Sequence, residues 1–393
     1  MKILYLTLSK IDLQKQGIYA DLINALTEAG HTVTLVQACE PKETTETRIC
    51  EERHVRILKV PVGSLFGVNF IKKGINTVLI APKCKAAIRR YLGSEPFDLV
   101  LYATPPITFA GVVRFAKKRY GCRSFLMLKD IFPQNAVDIG LFSGKSPICV
   151  YFRHQEKVLY DISDRIGCMS NKNRAYLLAH HPQLDENKVL IFPNTQKITQ
   201  DVTKEEKRDK NGSMRFVFGG NFGRPQAIDF LIRAIGDPRM QELNASFVFV
   251  GNGSEVSRVE QAAAKLSNME YIPFMPPEEY ERFMASCDVG IISLDHRFTI
   301  PNYPSRALGY MAMEKPILAA TDPVTDIREL ITQEARCGLW CSSDDVDGFI
   351  DCVRRFLNDP AFCETCGRNG RAYLEAHFDV KTSVAKIEES MKG

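Results

Sequence analysis

Between Glu52 and Glu95 this chain has no acidic residue, while Arg53, Arg56, Lys59, Lys72, Lys73, Lys83, Lys85, Arg89 and Arg90 all fall in that window. Such an asymmetry makes either a solvated basic face or a surface that meets an anionic partner. Acid is not scarce elsewhere. The whole chain carries 51 Lys and Arg against 47 Asp and Glu, a net charge of +4, too weak to argue for nucleic acid. No apolar run of the roughly 18 residues that would cross a bilayer is present. The N-terminus lacks the basic-then-apolar order of a signal peptide. The one C-x-x-C pair, Cys363 and Cys366, has no second pair or His cluster to complete a zinc site, so the cysteines read as reduced thiols. Together these absences predict a cytoplasmic protein without repeats or low-complexity tracts.

What the chain has is length and regular alternation. With 393 residues, 45% of them hydrophobic, it is long for one core and sufficient for two domains. Residues 214–234, MRFVFGGNFGRPQAIDFLIRA, read as a buried strand, a Gly-rich turn and a helix start. A second such start lies at the N-terminus, where MKILYLTLS leads into a loop with Gly17, the helical IYADLINALTEAG and the strand HTVTLVQA. Strand and helix patterns alternate through both halves. This predicts an α/β fold of two Rossmann-like, doubly wound domains facing each other across a cleft. The polar stretch from Thr195 to Ser213 reads as the linker. The predicted domains are residues 1–197 and 198–376, with a helix from about residue 377 to 393 packing back on the first.

Glycines after a strand let the backbone approach a phosphate, and the unpaired N–H groups of the next helix suit its charge. Gly220, Asn221 and Gly223 occupy such a turn, and Arg224 adds a guanidinium shaped for bidentate contact. Tight strand-to-helix packing would explain that turn equally well on its own. Two further strand ends add weight: Gly251 and Asn252 after FVFV, and Phe274 with Met275 after MEYI. In NYPSRALGYMAMEKPILA, Ser305 and Arg306 precede a helix, so the hydroxyl is expected to cap it and the guanidinium to meet an anion there. Arg224 and Arg306 would then neutralise a diphosphate from two sides. In the first half, RSFLMLKDIFP ends with Asp130 at the carboxyl edge of a strand, where open parallel sheets bind ligands. The plainer role for Asp130 is to cap the turn over 131–133.

In their order, GGNFGR, FVFVGNGSE, MEYIPFMPPEEYERFMASCDVGIISL, PSRALGYMAMEKPILA and GRNGRAYLEAHF resemble the family-4 retaining glycosyltransferases of the twin-Rossmann, GT-B type. LYATPPITFAG, LKDIFPQNAVDIG and FPNTQ resemble the branch of that family that makes bacterial surface polysaccharides, O-antigen and capsule included. The resemblance implies Gly17 near the donor phosphate, Asp130 beside the reacting sugar, Arg224 as the phosphate arginine and Arg306 as the basic residue of a PSK or PSR motif. It also implies Phe274 to Pro276 against the base and Asn194 at the domain hinge. The chain departs from the pattern too. Gly309 stands where many members hold the ribose with a Glu, Pro301 where another Glu meets the donor sugar, and Gln226 near the place of a Lys. Glu314 is a poor substitute, because five helical residues at about 100° each turn it roughly 140° away from Gly309. Asp295 or His296 could reach the sugar, although each reads first as an ordinary loop residue.

The implied activity moves a hexosyl or N-acetylhexosaminyl group from a nucleotide-diphosphate sugar, UDP foremost, to a saccharide acceptor that is lipid-linked in this branch. Charge growing on the leaving diphosphate is best met by preorganised cations and amides. Arg224, Arg306 and the N–H groups of Gly17 and Gly223 are expected to supply them, without metal or cofactor. The acid-free window mixes Leu65, Phe66 and Phe70 with Lys72, Lys73, Lys83, Lys85, Arg89 and Arg90. It is expected to meet anionic headgroups or a polyprenyl-diphosphate acceptor at the inner face of the plasma membrane. Two other classes stay open: a catalytically silent subunit that scaffolds a transferase, and an epimerase or phosphorylase of the same architecture.

Overall fold

The computed structural model describes residues 1–8, 10–64, 70–199 and 212–392, and their side chains except at 70–75, 277 and 278. The chain divides into two units, one of residues 1–197 with 380–393 and one of residues 198–379.

In the first unit β1 (Lys2–Thr7), β2 (Thr32–Cys39), β3 (Arg48–Glu52), β4 (Val55–Pro61), β5 (Leu99–Ala103), β6 (Arg123–Leu128), β7 (Arg165–Cys168) and β8 (Val189–Ile191) form one sheet, ordered β3-β4-β2-β1-β5-β6-β7-β8. β3 runs antiparallel to β4, and the other described pairs are parallel. Helices α1 (Ile18–Glu28), α2 (Phe70–Tyr91), α3 (Ala110–Tyr120), α4 (Gln134–Asp138), α5 (Pro147–Ile162) and α6 (Asn171–His180) make the connections. Helices on both faces explain why the inner strands are continuous apolar runs, as in ILYL of β1, rather than alternating ones. Tyr5, Leu35, Leu101, Phe125 and Phe192 form the core against α1.

The second unit orders β9 (Met214–Asn221), β10 (Ala245–Asn252), β11 (Met269–Ile272), β12 (Val289–Ser293), β13 (Ile317–Thr321) and β14 (Gly338–Ser342) as β11-β10-β9-β12-β13-β14, all parallel. Its helices are α7 (Ile228–Ile235), α8 (Pro238–Gln241), α9 (Val256–Ala263), α10 (Pro277–Ala285), α11 (Arg306–Ala312), α12 (Ile327–Glu329), α13 (Val346–Asn358) and α14 (Pro360–His377). Phe216, Phe247, Phe349 and Phe356 fill its core, with the first two rings stacked at 5.2 Å. Helix starts are written in the sequence. Asp345 accepts from the Gly348 N–H at 2.9 Å to open α13, and Asp359 accepts from the Phe362 N–H at 3.0 Å with Pro360 at the first helical position of α14.

The last helix, α15 (Val380–Lys392), belongs to the first unit. It buries Val380, Val384 and Ile387 in that core, and its Ser383 and Glu388 bond Thr195 (2.8 Å) and His31 (2.9 Å). Among the described residues no helix is long and apolar enough to cross a membrane.

In both sheets strand order reverses beside the first strand, between β1 and β5 and between β9 and β12. Successive connections there leave on opposite faces and open a crevice outside the carboxyl ends of the strands. Two such switch points are therefore the places to look for ligands.

Candidate functional site

At the second unit's switch point, β9 runs from buried Phe218 through Gly219 into exposed Gly220. A Cβ on Gly219 would lie 1.8 Å from the Tyr280 hydroxyl of α10, so only glycine lets that ring slide beneath the strand end. Gly251 has φ +148°, and a Cβ there would sit 1.9 Å from the Gly220 carbonyl oxygen. The two strand-end loops thus lie against each other, joined by the Phe222 N–H to the Asn252 carbonyl at 2.8 Å.

Arg306 opens α11 and turns its guanidinium over the Phe218 ring, 4.3 Å from the centroid, with Gly220 beside it. Its Nη1 is buried and has no hydrogen-bond partner. Burial pushes the guanidinium pKa down and the Tyr310 and Tyr280 hydroxyls push it back up. Arginine nonetheless stays charged. Tyr310 holds the floor of the site: its hydroxyl accepts from the Gly219 N–H at 3.4 Å and faces the Val217 and Ile291 carbonyls at 3.2 and 3.1 Å, bridging β9 and β12. A buried cation over an aromatic face, with an N–H left unpaired and no carboxylate bonded to it, is built to receive an anion.

The surrounding residues sort unevenly. Arg224 lies in a short 3-10 turn over 224–226, exposed and with no bonded partner. Phe274 is 71% exposed beyond the end of β11, and Met275 beside it is half-buried. Asn221 and Asn252 are exposed, the latter accepting from the Gly253 N–H at 2.8 Å.

Four expectations need correction. The Gly223 N–H donates to Gln226 Oε1 at 3.0 Å, so the side chain standing near the Lys position occupies the amide that was to hold phosphate. The Gly17 N–H similarly faces Asp21 Oδ1 at 3.4 Å, while Asp21 Oδ2 accepts from the Lys197 N–H at 2.9 Å. Ser305 makes no capping bond, because its own backbone is already helical (φ −68°, ψ −16°) and its hydroxyl is not aimed at the next turn. Asp295 is consumed by Arg297, accepting from its N–H (3.0 Å), Nε (2.9 Å) and Nη2 (2.6 Å). Burial works against the Asp295 charge, but these bonds prevail and its pKa is lowered. Gly309 is exposed with open space around it, and Glu314 follows α11 with φ +52°. The acidic D-x-D triplet Asp345-Val346-Asp347, a form that holds metals in other transferases, is also spent, on the α13 cap and on Arg239 at 2.7 Å.

In the first unit, Lys129 and Asp130 follow β6. Each keeps some surface yet is enclosed by protein on most sides. Burial raises the Asp130 carboxyl to about 6, partly opposed by Lys129, and lowers the Lys129 ammonium to about 7, partly opposed by Asp130. Asp130 makes no turn-capping bond. Tyr19 of α1 is raised to about 12 by burial and then by the Asp130 charge. Asn194 is 9% exposed and lines a small cavity with Tyr19, Lys129, Phe192 and Ser383.

A separate groove of about 430 Å³ runs between α2 and α3, lined by Lys85 and Arg89 on one side and Arg114, Phe115 and Lys118 on the other. None of its four cations has a bonded acid among the described residues. Arg89 lies over the Phe115 ring at 5.5 Å. Lys83 and Arg90 are exposed outside this groove. The side chains of Phe70, Lys72 and Lys73, and residues Leu65 and Phe66, lie outside what the structure describes. Sequence reasoning missed Arg114 and Lys118, although their i, i+4 spacing in AGVVRFAKKRY places them on one helix face.

Comparison with known proteins follows this division of the chain. Residues 18–195 match the family described as "Glycosyltransferase Family 4" and residues 213–359 the one described as "Glycosyl transferases group 1". The "Probable glycosyltransferase WbjE" of Pseudomonas aeruginosa is 26% identical over 258 residues, 63% of this chain and 63% of that protein. The chain therefore spans less than two thirds of that relative's length. Sucrose-phosphate synthase from Thermosynechococcus elongatus superposes with a TM-score of 0.79 at 17% identity, over 99% of this chain and 97% of that one. Anabaena HepE, solved with UDP-glucose, gives 0.72 at 16% identity, over 100% and 99%. These two likenesses carry the fold.

Proposed function

From a chain that belongs to the family-4 glycosyltransferases of GT-B fold, we propose a retaining transferase that takes a hexosyl or N-acetylhexosaminyl group from a UDP-sugar and gives it to a lipid-linked saccharide, in the synthesis of a bacterial surface polysaccharide. The observation that carries the reading is Arg306, a buried guanidinium with an unpaired Nη1 at the switch point of the second sheet. A diphosphate is the ligand that such a cation lacks. Arg224, exposed in the short turn that follows β9 and with no partner of its own, supplies the second charge. Phe274 offers an open aromatic face to the base. Proteins of the same fold support the donor class, HepE having been solved with UDP-glucose and an Escherichia coli trehalose-6-phosphate protein with UDP-2-fluoro glucose.

In the reaction, the acceptor oxygen bonds to the anomeric carbon as the anomeric C–O bond to phosphate breaks. The acceptor proton passes to the departing phosphate oxygen, and the nucleoside diphosphate leaves from the face that the acceptor enters. Arg306 and Arg224 stabilise the charge growing on the diphosphate. Asp130 orients the acceptor hydroxyl. The cations do this work without a metal, and the nucleotide sugar is a substrate rather than a cofactor. The groove between α2 and α3 meets anionic headgroups, bringing the protein to the inner membrane face where a lipid-linked acceptor is presented.

One observation favours a second reading. The open surface at Gly309, where the family's ribose-holding Glu is absent, suits a silent subunit that scaffolds a partner transferase. A thermal-shift screen of UDP, GDP, ADP and dTDP sugars separates the two: stabilisation by one nucleotide supports the transferase, and stabilisation by none supports the scaffold.

A further inference from the structure

At the second unit's switch point two neighbouring strands part. Among the described residues β9 and β12 pair only at Phe216 with Val289 and at Val217 with Gly290. On their outer sides both run on, β9 with β10 as far as Asn221 and β12 with β13 as far as Ser293. The break therefore lies between β9 and β12 alone, and the Tyr310 hydroxyl stands in it. It accepts from the Gly219 N–H at 3.4 Å, and its one proton faces the Ile291 carbonyl at 3.1 Å and the Val217 carbonyl at 3.2 Å. A single hydroxyl thus takes over the ladder bonds that the parted strands no longer make to each other. The ring is buried, and a Cβ on Gly290 would run into it, so β12 leaves room for it only through a glycine. Two links tie this hydroxyl to Arg306. Val217 and Gly219 flank Phe218, so the hydroxyl holds the backbone on both sides of the residue whose ring lies 4.3 Å beneath the guanidinium. Tyr310 also follows Arg306 by one turn of α11, on the same helix face. Strand, ring and helix close a circuit around the cation.

We propose that Tyr310 is a positioning residue for the transfer reaction: its hydroxyl wedges β9 from β12 and so holds the Phe218 ring and Arg306 where the leaving diphosphate binds. This rests on the reading of Arg306 as the cation that receives the diphosphate. A hydroxyl enclosed by protein thereby acts on the nucleotide through two other residues. Phenylalanine at this position keeps the ring but leaves the Gly219 N–H and the Ile291 carbonyl without the group between them. Buried polar groups are costly to leave unpaired, and closing that gap draws the strand end from beneath Arg306.

The test is a double-mutant cycle on the full-length protein, read by calorimetry with UDP well below the melting point of each variant. Tyr310→Phe should weaken UDP binding by about tenfold, and in the Arg306→Met background it should change binding by less than about twofold, because residues that act through one another are not additive. Two additive losses, or an unchanged affinity in Tyr310→Phe, would overturn the proposal however far the melting point falls. ¹⁵N NMR of the arginine Nε–H groups, with Arg306→Met assigning the signal, follows the guanidinium without any ligand. The native Arg306 signal should be displaced by the ring current of Phe218, and in Tyr310→Phe that displacement should shrink. An unmoved signal overturns the proposal as well. A native protein that binds neither UDP nor any other nucleoside diphosphate, but whose Arg306 signal still moves in Tyr310→Phe, leaves the wedge standing and sinks the transferase reading instead.

Discussion

Replacing Arg306 with methionine should separate stability from function. The native guanidinium leaves its buried Nη1 unpaired, a cost of about 1–3 kcal/mol. Its stacking on Phe218 returns about 0.5–2 kcal/mol. Methionine keeps much of the volume, so the ligand-free variant should melt within a few degrees of the native protein or above it. An arginine buried in an ion pair would behave differently, since removing one partner costs about 3–5 kcal/mol. The diphosphate, by contrast, should lose a charge-assisted contact of about 1.5–3 kcal/mol, about ten- to hundred-fold in affinity. Differential scanning fluorimetry with and without UDP reads both quantities in one experiment. A melting point that drops by roughly 6 °C or more, together with an intact UDP shift, would show that Arg306 is structural and refute the argument.

Three further outcomes follow from the geometry. Phe274→Ala should change stability by no more than about 0.5 kcal/mol, because the ring is 71% exposed, yet weaken nucleotide binding by about 1–3 kcal/mol, measured by calorimetry with UDP. Glu156, 6% exposed on α5 and accepting from the Tyr160 hydroxyl at 2.9 Å, is raised from 4.5 to about 7 by burial. A raised carboxyl favours the fold while it stays protonated, so its contribution is full below about pH 4.5 and is lost as pH climbs through about 7, a span worth about 3 kcal/mol. Glu156→Gln should therefore flatten the stability profile over that range in urea melts, and an unchanged slope would sink the assignment. Charge reversal of Lys85, Arg89, Arg114 and Lys118 should abolish sedimentation with anionic but not neutral liposomes, each cation contributing about 1 kcal/mol at low salt. Equal sedimentation of the variant and the native protein would dismiss the membrane surface.

The fold was legible because two independent signals coincide in both halves. Apolar runs such as FVF and LVLY are too unbroken for half-exposed strands, and the helical patterns between them are too regular for a sandwich. The surroundings of a candidate residue were legible only where its place in an element decides them. Arg306, the first residue of α11, is such a case. Gly223 and Gly17 are not, since a neighbouring Gln or Asp side chain competes for the backbone N–H, and that choice is made by rotamers. Tyr280 and Tyr310 escaped notice for another reason: each acts on a residue more than 20 positions away in the chain, and nothing local marks a Tyr that slides under a glycine or a Tyr whose hydroxyl parts two strands. The α2–α3 groove depends in the same way on which face of α3 turns toward α2.

The placement of α15 has a consequence for how the molecule is made. The first unit needs residues on both sides of the second, so it is an interrupted body into which residues 198–379 are inserted as one contiguous piece. During synthesis the inserted unit can finish folding while its host still waits for Val384 and Ile387 to seal the floor beneath α1. Each of those side chains contributes about 1.5–3 kcal/mol when fully buried. Clipping the final dozen residues should leave the insert sound and unravel the part of the protein that emerged from the ribosome first.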